Sequence, residues 1–278
     1  MKVVQIGGLF NKEKPIIGML HLDYLEGRKF KGVDYVIKKA LKDIKSLQDG
    51  GIDGILIENW KEESLGEFVS SQTAKAFKSI VEKLVKYIKV PFGINVLNND
   101  YKVAFSAAKL TGASFVELDV FVDKVKSAFV NNTSAIANPF VIDSKPERIW
   151  AYAKSIGAEN IPLFVFVQPK HYKMLEKGKS IEKSVKQAKE NGASGILITK
   201  ATGTAPTLDL IKRAKKAAGS LSVGIGSGFG IENVKDYLRV VDFAVVGTSI
   251  KVGGKTDNPV DRNKVKKLIG EVKKLRNI

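Results

Sequence analysis

Cysteine is absent from this 278-residue sequence, and histidine occurs only twice. The lack of cysteine excludes disulfide bonds, thiolate nucleophiles and zinc–sulfur sites. No apolar run reaches the roughly 18 residues that a transmembrane helix needs, so we do not expect an integral membrane protein. The first residues also lack the apolar stretch and small-residue cleavage site of a signal peptide. These absences favour a cytoplasmic protein.

Acidic residues are fewer than basic ones, since 29 aspartates and glutamates stand against 46 lysines and arginines and give a net charge of +17. A basic surface can attract nucleic acid, anionic lipid or phosphorylated metabolites. Lysine makes up most of the excess and is spread along helix-like stretches. Because specific nucleic-acid readers usually cluster their basic groups and use arginine, we expect no specific nucleic-acid partner.

Short apolar runs alternate with longer amphipathic stretches, which is typical of βα units around a parallel sheet. Eight runs are predicted as strands, at residues 16–20, 54–57, 92–97, 115–120, 162–167, 195–198, 222–225 and 243–246. The sequence therefore predicts an α/β fold, a single (β/α)8 TIM barrel in one domain over residues 1–278. Residues 121–144 are polar and irregular, and we interpret them as an excursion over the barrel mouth.

Small residues follow the last two predicted strands. In such barrels these two turns often hold a phosphate, because glycine lets the backbone approach an anion and N–H groups at a helix start point at it. Residues 231–239 are predicted to form a short helix between the turns, and another helix is expected to start after Ser249. We therefore predict a barrel of the phosphate-binding type, with a small phosphorylated ligand held by Gly226, Ser227, Gly228, Gly247, Thr248 and Ser249.

Titratable side chains lie at the carboxyl ends of several predicted strands, where such barrels carry their function. Both histidines, His21 and His171, follow strands and are candidates for acid–base catalysis near neutral pH. Glu58 and Asp119 are the carboxylate candidates. Since a buried carboxylate is costly unless it is paired, Glu58 is expected to face the mouth or a cation.

Four further polar residues are predicted to bind substrate: Asn59, Asn95, Lys170 and Lys200. Asn95 interrupts an apolar strand and must be hydrogen-bonded, so it either orients substrate or braces a neighbouring strand. Lys200 could form a Schiff base, contact an anionic group or be an ordinary surface lysine.

Glu117 and Asp119 alternate along the fourth predicted strand, so their side chains are expected on one face. Together with Glu58 they leave two alternatives open. Carboxylate oxygens could bind Mg²⁺, or the carboxylates could pair with Lys170 or Lys200 inside the barrel. No cofactor is otherwise expected.

Several segments, in order, resemble the BtpA family, also described as photosystem I assembly BtpA/SgcQ-like proteins. They read GMLHL from residue 18, GIDGILIEN from 51, GINVLNND from 93, KH from 170, GSG from 226, VGTSIK from 246 and NPVD from 258. The resemblance spans roughly residues 15–265 and implies a TIM barrel of the phosphate-binding kind. Members are described as photosystem I assembly factors or as enzymes acting on nucleotides or sugar phosphates.

Two functions are compatible with these observations. The first is an enzyme that acts on a sugar phosphate or nucleotide-like molecule by isomerase, epimerase or lyase chemistry, with metal-assisted hydrolysis as a variant. The alternative is a non-catalytic assembly or stabilising factor for a membrane complex, photosystem I in photosynthetic relatives. Either protein could form a homo-oligomer.

Overall fold

The computed structural model describes residues 6–61, 66–130, 134–135 and 139–276. Its strands are β1 (Ile16–His21), β2 (Gly54–Glu58), β3 (Phe92–Asn95), β4 (Phe115–Leu118), β5 (Lys124–Ser127), β6 (Phe129–Val130), β7 (Ser134–Ala135), β8 (Val141–Asp143), β9 (Leu163–Phe166), β10 (Tyr172–Met174), β11 (Gly195–Ile198), β12 (Ser222–Ile225) and β13 (Phe243–Val246). Its α-helices are α1 (Ile6–Phe10), α2 (Val33–Gly50), α3 (Ser71–Leu84), α4 (Tyr101–Thr111), α5 (Pro146–Ser155), α6 (Ile181–Glu190), α7 (Leu208–Ala218), α8 (Val234–Leu238) and α9 (Arg262–Arg276).

Eight strands close into a parallel barrel in the order β1-β13-β12-β11-β9-β4-β3-β2. Ile17 of β1 aligns with Gly54 on one side and with Val245 on the other, which closes the ring. The barrel strands are mainly apolar because helices cover their outer faces and the core fills their inner faces. The predicted TIM barrel is confirmed, and the last three strands have the predicted bounds.

Aromatic rings fill the amino-terminal half of the barrel. The ring of Phe115 lies 5.0 Å from that of Phe164 and 5.8 Å from that of Phe10 in α1. Gly93 faces Phe115 so closely that a β-carbon there would lie 2.2 Å from the ring. Because this end of the barrel is packed solid, the remaining internal space lies at the carboxyl ends of the strands.

The helices around the barrel end and begin where the sequence provides caps. Gly51 ends α2 with a φ of 87°, and its N–H donates to the carbonyls of Leu47 and Gln48. The Ser70 hydroxyl accepts from the Thr73 N–H at the start of α3. Among the described residues, no helix is both long enough and apolar enough to cross a bilayer.

The predicted irregular excursion is wrong in part, because β5 and β8 pair with β10 in a three-stranded antiparallel sheet. Alternation along β5 buries Val125 against Val120 and Ile142. Its charged neighbours stay exposed, so this short strand lacks the continuous apolar run of the barrel strands. Residues 131–133 and 136–138 of the excursion lie outside the described part of the chain.

Two predicted helices also differ from the structure. The one between the phosphate turns is shorter than predicted, Val234–Leu238, because the Asn233 side chain bonds the Gly230 N–H and the Gly228 carbonyl and holds the preceding turn outside the helix. After the eighth barrel strand the chain makes only 3-10 turns, Thr248–Ile250 and Val252–Gly254. The next α-helix is α9.

Candidate functional site

A cavity of about 360 Å³ opens at the carboxyl ends of the barrel strands. The four residues predicted as catalytic, His21, Glu58, Asp119 and His171, all line it, together with Lys170. The six predicted phosphate-turn residues line the same cavity. Barrel closure therefore brings strand ends more than 200 residues apart in sequence to one mouth.

Three carboxylates in this cavity share one hydrogen-bond donor, the side-chain amide of Asn95. Its Nδ2 lies 3.2 Å from Glu117 Oε1, 3.2 Å from Asp119 Oδ1 and 3.5 Å from Glu58 Oε2. Register explains the grouping, because Asn95 aligns with Glu58 on one neighbouring strand and with Glu117 on the other. Asn95 is fully buried, so it is the floor of the cluster.

Burial is the main influence on the protonation of these carboxylates. Desolvation, followed by the Asp119 charge, raises the pKa of Glu58 to about 8. Desolvation also raises the pKa of Asp119 to about 6, opposed by the Asn95 hydrogen bond and the Lys170 charge, and it raises the pKa of Glu117 well above its ordinary value. Near neutral pH Asp119 is therefore mainly ionised and Glu58 mainly protonated, while Glu117 holds its proton more tightly than an ordinary glutamate does.

His21 is enclosed on several sides. Its ring stacks on Trp60 with centroids 4.9 Å apart and planes 21° apart, and its Nε2 lies 3.7 Å from Glu58 Oε1. Burial lowers the pKa of His21 well below its ordinary value, and the charges of Lys251 and Lys170 lower it further. The imidazole is therefore neutral at physiological pH, and its buried Nδ1 has no hydrogen-bond partner among the described residues.

His171 lies at the other candidate strand end, in a left-handed backbone conformation with a φ of 69°. Its Nε2 is 3.1 Å from the Thr202 hydroxyl. Desolvation, and then the Lys170 charge, lowers the pKa of His171 to about 4. Both histidines are thus neutral at physiological pH. A neutral imidazole has one ring nitrogen that donates a hydrogen bond and one that accepts, so each histidine can take part in proton transfer in this state.

The two glycine-bearing turns lie against each other. The Ser249 hydroxyl donates to the Phe229 carbonyl at 2.6 Å, and a β-carbon on Gly230 would lie 2.9 Å from Ser249 Cβ. A β-carbon on Gly247 would lie 3.5 Å from His21 Cε1. The turns are therefore adjacent to each other and to a titratable residue.

Protein contacts already use the hydroxyl groups of these turns. The Ser227 hydroxyl donates to the Thr204 carbonyl, and the Thr248 hydroxyl bonds Thr256. The backbone N–H groups of Ser227, Gly228, Thr248 and Ser249, in contrast, have no acceptor within the described ranges. An anion in this corner would therefore be bound by backbone amides rather than by side chains.

Three of the residues predicted to bind substrate do not line the cavity. Asn59 holds the neighbouring loop, because its Oδ1 accepts from the Leu97 N–H at 2.7 Å. Asn95 lies beneath the carboxylates, as described above. The Lys200 side chain is exposed, and its backbone N–H donates to Ser227. At a strand end consecutive side chains point to opposite faces, and residue type alone does not fix which one points inward.

Sequence reasoning missed several cavity residues, among them Trp60, Phe166, Tyr172, Thr202 and Thr256. Trp60 and Tyr172 directly follow predicted site residues along the chain, which is the one signal that would have found them. The Tyr172 hydroxyl donates to the Asn98 carbonyl at 3.1 Å and so fixes the ring at the edge of the cavity.

Metal binding finds no support in the arrangement of the acids. Across residues 6–61, 66–130, 134–135 and 139–276, no group of three or more His, Asp or Glu side chains is placed so that it could hold a metal ion. One oxygen of each carboxylate is already held by the Asn95 amide, so these oxygens are not free to bind a metal ion.

The fold and the cavity together define a (β/α)8-barrel protein with titratable side chains at the carboxyl ends of its strands. The chain belongs to the BtpA family, whose sequence model matches residues 12–274. An uncharacterised protein of Pyrococcus furiosus is 30% identical over 92% of this chain and 94% of its own length. The photosystem I biogenesis protein BtpA of Synechocystis is 27% identical over 94% of this chain and 88% of its own length.

Solved structures with the same architecture are distant in sequence. Phosphoribosylanthranilate isomerase from Thermotoga maritima superposes with a TM-score of 0.55 at 14% identity, over 94% of this chain and 98% of its own. At this identity the likeness shows the shared barrel fold alone.

Proposed function

We propose that this protein is an enzyme that acts on a small phosphorylated metabolite by proton transfer at the barrel mouth. The observation that carries the proposal is the approach of Gly247 to His21, where a β-carbon would lie 3.5 Å from the imidazole. An anion bound by the amides of the two turns would bring the rest of its molecule beside the titratable cluster. The isomerase that shares this fold acts, by its name, on a phosphoribosyl compound.

The titratable groups have complementary roles in this proposal. Asp119, with a pKa of about 6, is ionised near neutral pH and is the candidate base. Glu58, with a pKa of about 8, retains its proton and is the candidate acid. His21 and His171 are neutral and relay protons at the reacting carbon or hydroxyl. Acids and bases of this kind contribute about 10²–10⁴-fold to rate, so His21→Ala should lower turnover by that factor.

Lys170 is the cation of the site. It lines the cavity, and its positive charge partly opposes the rise that burial causes in the pKa of Glu58, Glu117 and Asp119. In the proposed enzyme it binds a second anionic or partially negative atom of the substrate, such as an oxygen on which charge develops. Isomerisation, epimerisation and aldol-type cleavage can all use this combination of acid, base and cation.

The experiment that tests the proposal is a thermal-shift screen of phosphorylated metabolites with inorganic phosphate as reference. A ligand that binds only the folded protein raises its melting temperature by mass action. Thr248→Asp and Thr248→Asn both replace the hydroxyl that bonds Thr256, but only the aspartate repels an anion. Stabilisation that survives in Thr248→Asn and disappears in Thr248→Asp supports the phosphate site, whereas equal stabilisation of both contradicts it.

A second candidate function is a role in assembling a membrane complex, favoured by the relative named as a photosystem I biogenesis protein. This candidate predicts that replacing His21, Asp119 and Lys170 together leaves complex assembly intact in a photosynthetic host. The enzyme predicts that the same triple replacement abolishes the biological effect. Complementation of a deletion strain with this variant separates the two.

A further inference from the structure

The walls of the cavity differ in chemical character from one side to the other. Carboxylates stand on one side, from β2 and β4, which flank β3 in the barrel. Unpaired backbone N–H groups stand on the other, after the adjacent strands β12 and β13. Acceptors at one end and donors at the other match a molecule that carries both kinds of charge.

Buried polar atoms on the carboxylate side lack a hydrogen-bond partner among the described residues. Glu117 is 1% exposed and its Oε2 is unpartnered, and the Oδ1 of Asn95 and the Nδ1 of His21 are buried and unpartnered too. Buried polar atoms are rarely left in this state, because each one forfeits its hydrogen bond with water. Glu117 lines the cavity, so a ligand that places an N–H or O–H group beside it supplies the missing donor.

Cations are also scarce on this side. Three carboxylates face one lysine, and no carboxylate of the described chain lies within salt-bridge distance of Lys170. Lys251 is nearby but lies 3.7 Å from its own partner, Asp43. His21 does not supply a positive charge near neutral pH, because it is neutral there. The protein itself therefore supplies too few cations for all three buried acids to be ionised at once.

We propose that the ligand carries a cationic nitrogen in addition to its phosphate, and that Glu58, Glu117 and Asp119 receive this nitrogen. The inference rests on the proposed function and narrows its substrate class to phosphorylated amines, such as amino-sugar phosphates. A primary ammonium has three N–H donors, one for each carboxylate, whereas a hydroxyl has one. The opposite charge also favours ionisation of the acids, so binding should release protons.

Matched probes test the inference by calorimetry at pH 7.5. Glucosamine 6-phosphate has an amino group where glucose 6-phosphate has a hydroxyl group. Phosphoethanolamine and 2-hydroxyethyl phosphate differ in the same way. We expect the amine of at least one pair to bind about tenfold more tightly or better. Phosphoethanolamine carries a fully protonated ammonium at pH 7.5, so its titrations in two buffers of different ionisation enthalpy should show proton release, and those of 2-hydroxyethyl phosphate should show none.

Glu117→Gln provides the matched variant, since glutamine keeps an acceptor for Asn95 and cannot ionise. It should reduce the affinity for the amine to that for the hydroxyl compound, and Asp119→Asn gives the same test if Glu117→Gln fails to fold. Equal binding of amine and hydroxyl by the wild-type protein, or an amine preference that survives in the variant, overturns the cation site and leaves the phosphate site standing. If none of the four probes nor inorganic phosphate binds, the proposed function itself is wrong.

Discussion

The indole of Trp60 lies stacked on the imidazole of His21 and at the same time donates its Nε1 hydrogen to Asp257 Oδ1 at 2.9 Å. One side chain thus joins the loop after β2 to the loop that precedes α9. Both loops lie beside the cavity, and Thr256, next to Asp257, lines it. Trp60 therefore connects the position of His21 to the loop that carries Thr256 and Asp257.

Trp60→Phe should keep a ring over His21 and remove the hydrogen bond to Asp257. We expect a loss of about 1 kcal/mol in the free energy of unfolding, the usual net value of such a bond, measured by urea denaturation. Trp60→Ala should cost about 3 kcal/mol or more, because it also removes the buried ring. Asp257→Asn keeps an acceptor and should cost less than either. Equal losses of unfolding free energy in Trp60→Phe and Trp60→Ala would show that the hydrogen bond, not the ring, holds the two loops together.

The raised pKa of Glu58 predicts how stability depends on pH. The folded protein holds this proton more tightly than the unfolded chain, since the pKa moves from an ordinary 4.5 to about 8. The stability that the protonated side chain provides is therefore complete below about pH 4.5 and is lost as the pH rises to about 8. Glu58→Gln cannot ionise, so it should become progressively more stable than the wild type across this window.

Urea denaturation at pH 5 and at pH 8 measures this effect. The difference between variant and wild type should grow by at most roughly 1.4 kcal/mol per pH unit. Asp119 and Glu117 titrate in the same cluster, while Lys170 and Lys251 oppose the shift of Glu58. Glu82→Gln, at an exposed position of α3, is the control and should show no such trend. A constant difference at both pH values would mean that Glu58 ionises normally.

Gly228 and Gly203 form a pair in which backbone strain and steric overlap can be separated. Both have positive φ, 65° and 78°, but a β-carbon on Gly228 would lie 2.0 Å from the Ala205 nitrogen, whereas nothing lies within 4 Å of one on Gly203. Gly203→Ala should therefore cost about 1 kcal/mol from strain alone. Gly228→Ala should cost about 3 kcal/mol or more, because backbone must move. Similar melting temperatures for the two variants would contradict the close packing of this turn.

Asp43 is buried and accepts from the Val260 N–H at 2.9 Å while its other oxygen lies 3.7 Å from Lys251 Nζ. Asp43→Ala leaves a buried ammonium and a buried N–H unpaired, so we expect a loss of about 3–5 kcal/mol in unfolding free energy. Asp43→Asn combined with Lys251→Met removes the unpaired charge and should recover most of it. A double variant as unstable as Asp43→Ala, although its asparagine can still accept from the Val260 N–H, would show that the unpaired charge is not the cause of the loss.

Prediction from sequence succeeded where one local signal was sufficient. The barrel strands are mainly apolar on both faces, so each can be recognised in the sequence as a short run of apolar residues. The rule that strand ends carry function then selected His21, Glu58, Asp119 and His171, which all line the cavity. The same rule selected Asn59 and Lys200, which do not, because it identifies a strand end without fixing the direction of each side chain.

Prediction failed where the partner is remote and the strands are short. The sheet of β5, β8 and β10 joins residues that lie tens of positions apart, and its strands are only three or four residues long. Alternation over so short a length is not distinguishable from a polar loop. The contact of Trp60 with Asp257 spans 197 positions and has no signal in either local sequence.

The order of apolar runs and glycine-bearing turns by itself determined that this chain forms a barrel and which end of the barrel carries polar residues. Both can be predicted from sequence because hydrophobic periodicity and turn chemistry act over a few neighbouring residues. Only the tertiary structure decided that Asn95 lies beneath three acids and that His21 is neutral. Protonation and hydrogen-bond partnership depend on burial and on charges brought from other strands, and these exist only once the ring is closed.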